Sequence, residues 1–147
     1  MTENFGLQEF INSTTADRLK IDNRPPAEVM AHLQRTAEGL ERIRAAAGGH
    51  PIQILSGYRC QALNVAVGGA PASQHVMGQA ADILCPRFGS VHDFAQFIYA
   101  NAKALGVDQV IKEKNTRGSE WVHVSFNLKP RHQALTIAGG KTTAGIV

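Results

Sequence analysis

The chain has 147 residues, of which 44% are apolar and 18% charged, with a net charge of +3; this length makes one ordinary domain that buries about 68–70% of its unfolded surface and needs neither disulfides nor a structural metal to fold. No apolar run approaches the roughly 18–20 residues that cross a bilayer. The pI near 9.1 mildly favours anionic partners, but there is no basic run and no basic–aromatic interleaving, so a nucleic-acid module is not expected.

The opening residues, MTENFGLQEF, lack a basic stretch followed by an apolar core. No secretory signal is read there, and the chain is expected to stay in the cytoplasm until something else releases it. Residues 7–12 and 15–21 read as short helical segments, and Arg24-Pro25-Pro26 breaks the chain before a helix start. From 27 to 47, Val29, Leu33, Ala37, Leu40, Ile43 and Ala47 recur at three or four residues. That is the apolar stripe of a long amphipathic helix, stopped by Gly48-Gly49.

Residues 51–55 have strand character, 60–67 predict a short helix closed by Gly68-Gly69, and 70–77 are irregular. A second strand is expected over 79–84 and a long helix over 91–105, where Phe94, Phe97, Ile98, Ala102 and Leu105 form a stripe. Two more strands are expected over 107–111 and 121–126, joined by the polar segment 112–119 as a hairpin loop. The tail 129–147 is weakly patterned and expected to be partly mobile. The order predicts one α+β domain over 1–147, with helices on one face of a small, mainly antiparallel sheet. Cys60 and Cys85 allow a single bridge, but without an export signal two thiols are expected, at least one of them buried.

The chemistry concentrates in two segments, Ser73-Gln74-His75-Val76-Met77-Gly78-Gln79-Ala80-Ala81-Asp82 and Glu120-Trp121-Val122-His123. Two imidazoles and a carboxylate, from His75, His123 and Asp82, suit a catalytic zinc ion, because three protein ligands leave a position open for water. A nearby carboxylate can then carry the water's proton to a leaving amine. Glu120 is the candidate, but residues three apart on a regular strand face opposite ways. Glu120 and His123 converge only if Glu120 lies at the strand's start, on a bulge or in the loop before it.

The pattern S-x-H-x-x-G-x-A-x-D followed by E-x-x-H resembles the zinc D-Ala-D-Ala carboxypeptidases, which share the lysostaphin, D-Ala-D-Ala peptidase and hedgehog-type fold. Ser56-Gly57-Tyr58-Arg59, Leu63-Asn64 and Val67-Gly68-Gly69 also match, so the resemblance spans about residues 50–126. It implies one zinc ion on His75, Asp82 and His123, Glu120 as acid/base, and Arg59 beside the scissile carbonyl and its oxyanion. It places Ser73 near the site, with Tyr58 and Trp121 as further substrate-side candidates. Where the family motif carries two aromatics between Glu and His, this chain has Trp121 and Val122.

The implied activity is hydrolysis of peptidoglycan stem peptides by a monomer. The reaction is either a D-Ala-D-Ala carboxypeptidase reaction or an internal L-Ala-D-Glu-type cleavage, as in phage endolysins. The alternative from another class is a zinc-containing binding or structural module of the same fold. Each residue also has a plainer reading: a hydrogen-bonded loop histidine at 75, a core histidine at 123, a buried cap at Asp82, an ion pair at Arg59. Lys112, Lys114 and Arg117 either meet a substrate carboxylate or form a solvated loop.

Overall fold

A computed structural model describes all residues, Met1–Val147. Two short helices, α1 (Leu7–Ile11) and α2 (Thr14–Leu19), precede the long α3 (Ala27–Ala46). Ser13 caps α2, its hydroxyl accepting from the Ala16 N–H. The stripe read along α3 faces inward: Val29, Leu33, Ala37, Leu40 and Ile43 are all buried. Then follow β1 (Gln53–Ser56), α4 (Gln61–Ala66), β2 (Ala80–Leu84), α5 (Val91–Ala100) and α6 (Ala102–Leu105). The expected single helix over 91–105 is thus two, broken at Asn101, whose side-chain amide donates to the Phe97 carbonyl. The chain ends in β3 (Gln109–Lys114), β4 (Glu120–Ser125), β5 (Gln133–Ala138) and β6 (Lys141–Ala144).

The six strands form one sheet in the order β1-β2-β4-β3-β5-β6. Every neighbouring pair is antiparallel except β3 with β5. The molecule is α+β with a mostly antiparallel sheet, as the order of elements predicts. Ile83, Val122, Val124 and Val110 are buried with Phe94, Ile98 and the α3 stripe in one core. Helix α5 lies against β3 and β4. The polar residues Asp82 and His123 alternate with that apolar set and so lie on the other face.

Two further sequence readings differ from the structure. The tail is not without elements: Gln133–Ala138 pairs with β3, and Ala134 and Ile146 are buried. The third strand also runs on to Lys114 instead of ending at Ile111. The polar residues Lys112, Glu113 and Lys114 hide this extension in composition, but their backbone is paired on both sides, with β4 and β5. Cys60 and Cys85 are both free thiols. No helix is long and apolar enough to cross a membrane.

Candidate metal centre

His75 lies in a tightly turned segment between α4 and β2. The His75 carbonyl accepts from the Arg59 and Gly78 N–H groups, and Gln79 N–H donates to the Gln74 carbonyl. The turn depends on Gly78. Its φ is +72°, and a Cβ there would lie 2.7 Å from Val29 Cγ1 and 3.1 Å from Leu33 Cγ. Its carbonyl accepts from the buried Thr36 hydroxyl at 2.8 Å, tying the turn to α3. Four residues later, Asp82 sits in mid-β2, directly opposite His123 of β4.

His75, Asp82 and His123 offer ligand atoms that all lie within 4.8 Å of one another. His75 Nε2 is 3.3 Å and His123 Nδ1 is 3.1 Å from Asp82 Oδ1. Zinc bonds of about 2.0–2.1 Å in a tetrahedron place neighbouring donors about 3.3 Å apart, so the donor set fits that ion. The tautomer of His75 fits as well. Its Nδ1 lies 2.7 Å from the Gly57 carbonyl oxygen. A carbonyl only accepts, so Nδ1 carries the proton and the Nε2 lone pair faces Asp82. Burial works against the charge on Asp82, but His75 and His123, by charge and hydrogen bonding, hold its carboxyl well below the usual carboxylate range.

The structure does not bring Glu120 to this cluster. Glu120 opens β4 opposite Lys114, and the β3–β4 register runs without a bulge from Gln109 to Lys114. Glu120 thus does lie at the strand's start, one of the positions that allow convergence, but the unbroken pairing holds it in the regular alternation and away from the His123 face. Glu120 is exposed on the opposite face, in a cleft it shares with Lys112, Lys114 and Lys141. Glu113 takes the place beside the ligands. It lies opposite Trp121, two residues along from the Ile111–His123 pair, and so on the ligand face. Its Oε1 is 3.9 Å from His123 Nδ1 and its side chain is 23% exposed. Burial pushes the Glu113 carboxyl up and Asp82 repels its charge further, while His123 and Arg59 pull the other way. The signal for Glu113 in the sequence is period two: it stands two residues after Ile111, and only a strand continued past 111 makes that visible.

Arg59 donates from Nε to Asn64 Oδ1 at 3.1 Å and from Nη2 to Ser73 Oγ at 3.3 Å. Burial pulls its pKa down, and Asp82 and Glu113 oppose that by attraction. Ser73 also accepts from the His75 N–H at 3.2 Å, so one hydroxyl fixes both the arginine and the ligand's backbone. Tyr58 belongs to the core, with 6% exposure, and its backbone joins Phe10 and Asn23. Trp121 shares the ligand face with His123, and its indole N–H is buried without a partner.

This arrangement can hold a divalent cation on three donors, present a carboxylate that gains and loses a proton, and set a cation nearby. The model of one family, peptidase M15, matches residues 3–125. No curated protein matches the chain.

Proposed function

The chain belongs to the peptidase M15 family, and on that footing we propose that it is a zinc-dependent hydrolase of peptidoglycan stem peptides. The observation that carries the reading is three donors within 4.8 Å of one another, with both imidazole nitrogens at tetrahedral-edge distance from Asp82 Oδ1 and Glu113 next to them. In the proposed reaction His75, Asp82 and His123 hold the ion. Zinc bound there supplies a Lewis acid for the scissile carbonyl and makes a neighbouring water more acidic. Glu113 accepts the proton of the attacking water on a carboxylate oxygen, then passes it to the amine nitrogen as the C–N bond breaks. Arg59, held by Asn64 and Ser73, sets a fixed cation where negative charge grows on the carbonyl oxygen. The raised proton affinity of Glu113 suits a group that must both take and release a proton.

Two scissile bonds suit this reading, the terminal D-Ala-D-Ala bond and an internal L-Ala-D-Glu-type bond. Incubating zinc-loaded protein with purified peptidoglycan and with synthetic stem pentapeptide, followed by mass spectrometry, distinguishes them. Free D-Ala identifies a carboxypeptidase and internal fragments an endopeptidase. Chelator should abolish either activity and zinc restore it. Intact substrates in all arms would sink the proposal.

A further inference from the structure

A second arginine stands where a substrate would extend from the metal centre. A cleft of about 340 Å³ is lined by His123, Ser73, Gln74, Ile111, Gln109 and Arg131, among others. Arg131 is the only Lys, Arg, Asp or Glu side chain on its walls. Arg59 is not among these walls and also lines a further cleft with Ser56 and Tyr58. Arg59 reaches the first cleft through Ser73 on its wall, and Arg131 is a second, separate cation there.

Arg131 is held from behind. Its Nε donates to Asp108 Oδ1 at 2.9 Å and its Nη2 to Oδ2 at 2.8 Å, while its backbone N–H donates to Oδ1 at 2.8 Å. The Asp108 side chain is fully buried and that of Arg131 is 54% exposed. Gln74 Nε2 donates to Asp108 Oδ2 at 2.9 Å, and the Ser125 hydroxyl reaches the same oxygen at 3.4 Å. A guanidinium has five N–H donors. The Asp108 pair uses one on Nε and one on Nη2, so both hydrogens of Nη1 and one of Nη2 remain for another acceptor.

That fork is already immobilised, so engaging it costs little further side-chain entropy. Its geometry matches a planar carboxylate. Because the compensating charge lies inside the protein, the cleft itself presents the positive end of the pair.

We propose that Arg131 is a specificity-determining residue that binds a carboxylate of the substrate in the cleft leading from His123. This rests on the peptidase reading above. Stem peptides carry two carboxylates of this kind, at the chain terminus and on the α-carbon of an internal D-Glu, and the chemistry of recognition is the same for both.

The test uses three synthetic pentapeptides: one with both carboxylates free, one amidated at the terminus, one amidated at the D-Glu α-carboxyl. Zinc-loaded wild type should lose about tenfold in kcat/KM, through KM, on one of the two amides, as expected for a charge-assisted hydrogen bond at a half-exposed site. Removing Arg131 alone strands a buried carboxylate, so the variants are D108N/R131Q, which removes both charges, and R131K, which keeps the pair but not the fork. In D108N/R131Q the amidation penalty should fall close to onefold, and R131K should retain part of it. An unchanged penalty in D108N/R131Q overturns the proposal, as does a wild type indifferent to both amidations. Calorimetric binding of the same peptides to zinc-loaded E113Q gives the comparison without turnover. Amidation-sensitive binding with no hydrolysis by wild type would remove the peptidase reading alone. Binding by E113Q that ignores amidation would remove the Arg131 proposal alone.

Discussion

Two glutamates compete for one role, and a strand's two-residue alternation separates them. Glu120 is three residues from His123 along β4, whereas Glu113 is on the neighbouring strand and on the same face as His123. Glutamine at 113 should keep the metal, because Glu113 is not among the three donors. It should lower kcat by about 10²–10⁴, the usual contribution of a positioned acid/base. Glutamine at 120 should leave turnover within about twofold. Metal content after dialysis and initial rates on the same substrate check both, and a slow E120Q beside an active E113Q would reverse the assignment. Asp108 makes a prediction of a different kind. Burial opposes its ionisation, but hydrogen bonds from Arg131 and Gln74 bring its pKa down from 3.8 to about 2. A carboxyl more acidic in the folded state than in the unfolded chain stabilises the fold fully above the unfolded pKa, and that contribution is lost as pH falls through the folded value. Between about pH 4 and pH 2 the protein should lose on the order of 2 kcal/mol from this group. Urea titrations across that window should show a flatter acid limb in D108N/R131Q than in wild type.

Among the elements, those that bury a regular apolar stripe were legible and those that hold the site by polar pairing were not. Helix α3 is visible because its buried positions repeat every three or four residues over five turns. Strands β2 and β4 are visible because Ile83, Val122 and Val124 alternate with Asp82 and His123. The end of β3 is hidden because Lys112, Glu113 and Lys114 look like loop, and their pairing is set by the turn that begins at the next residue. There Asn115 Oδ1 accepts from the Arg117 and Ser119 N–H groups and closes the hairpin. Strands β5 and β6 are hidden because little of them is buried and β5 gains its order from parallel pairing with β3. The packing of α3 on the sheet offers a direct test. A Cβ on Gly39 would come within 2.3–2.6 Å of three ring carbons of Phe126, a residue only 1% exposed. Alanine would gain about 1 kcal/mol of helix propensity, but overpacking a full core position costs about 1–3 kcal/mol. The overlap here favours the upper end, so G39A should be destabilised by about 1–2 kcal/mol, read as a lower urea midpoint at unchanged m-value. A midpoint at or above wild type would show that the ring has room to move.

Across the whole molecule, the centre draws its parts from distant stretches of chain: the segment before β2, β2 itself, and the β3–β4 hairpin. The backbone that orients His75 reaches further still. The Gly57 carbonyl accepts the hydrogen bond of His75 Nδ1–H, and the next residue's N–H donates to the Phe10 carbonyl near the end of the first helix, at 2.7 Å. A Cβ on Gly57 would fall 2.6 Å from the Phe10 carbonyl oxygen and 2.8 Å from its Cα, backbone atoms that cannot swing aside. G57A should therefore push the first helix and the histidine's acceptor apart together. Weaker zinc retention in a protein that still unfolds cooperatively is the expected result; unchanged retention would mean that the two are not coupled. The first dozen residues thus act as a foundation for a ligand more than sixty positions downstream. A protease nick or a bulky fusion at that end should therefore disturb the acceptor of His75 together with the core, in which Phe5 and Phe10 are buried.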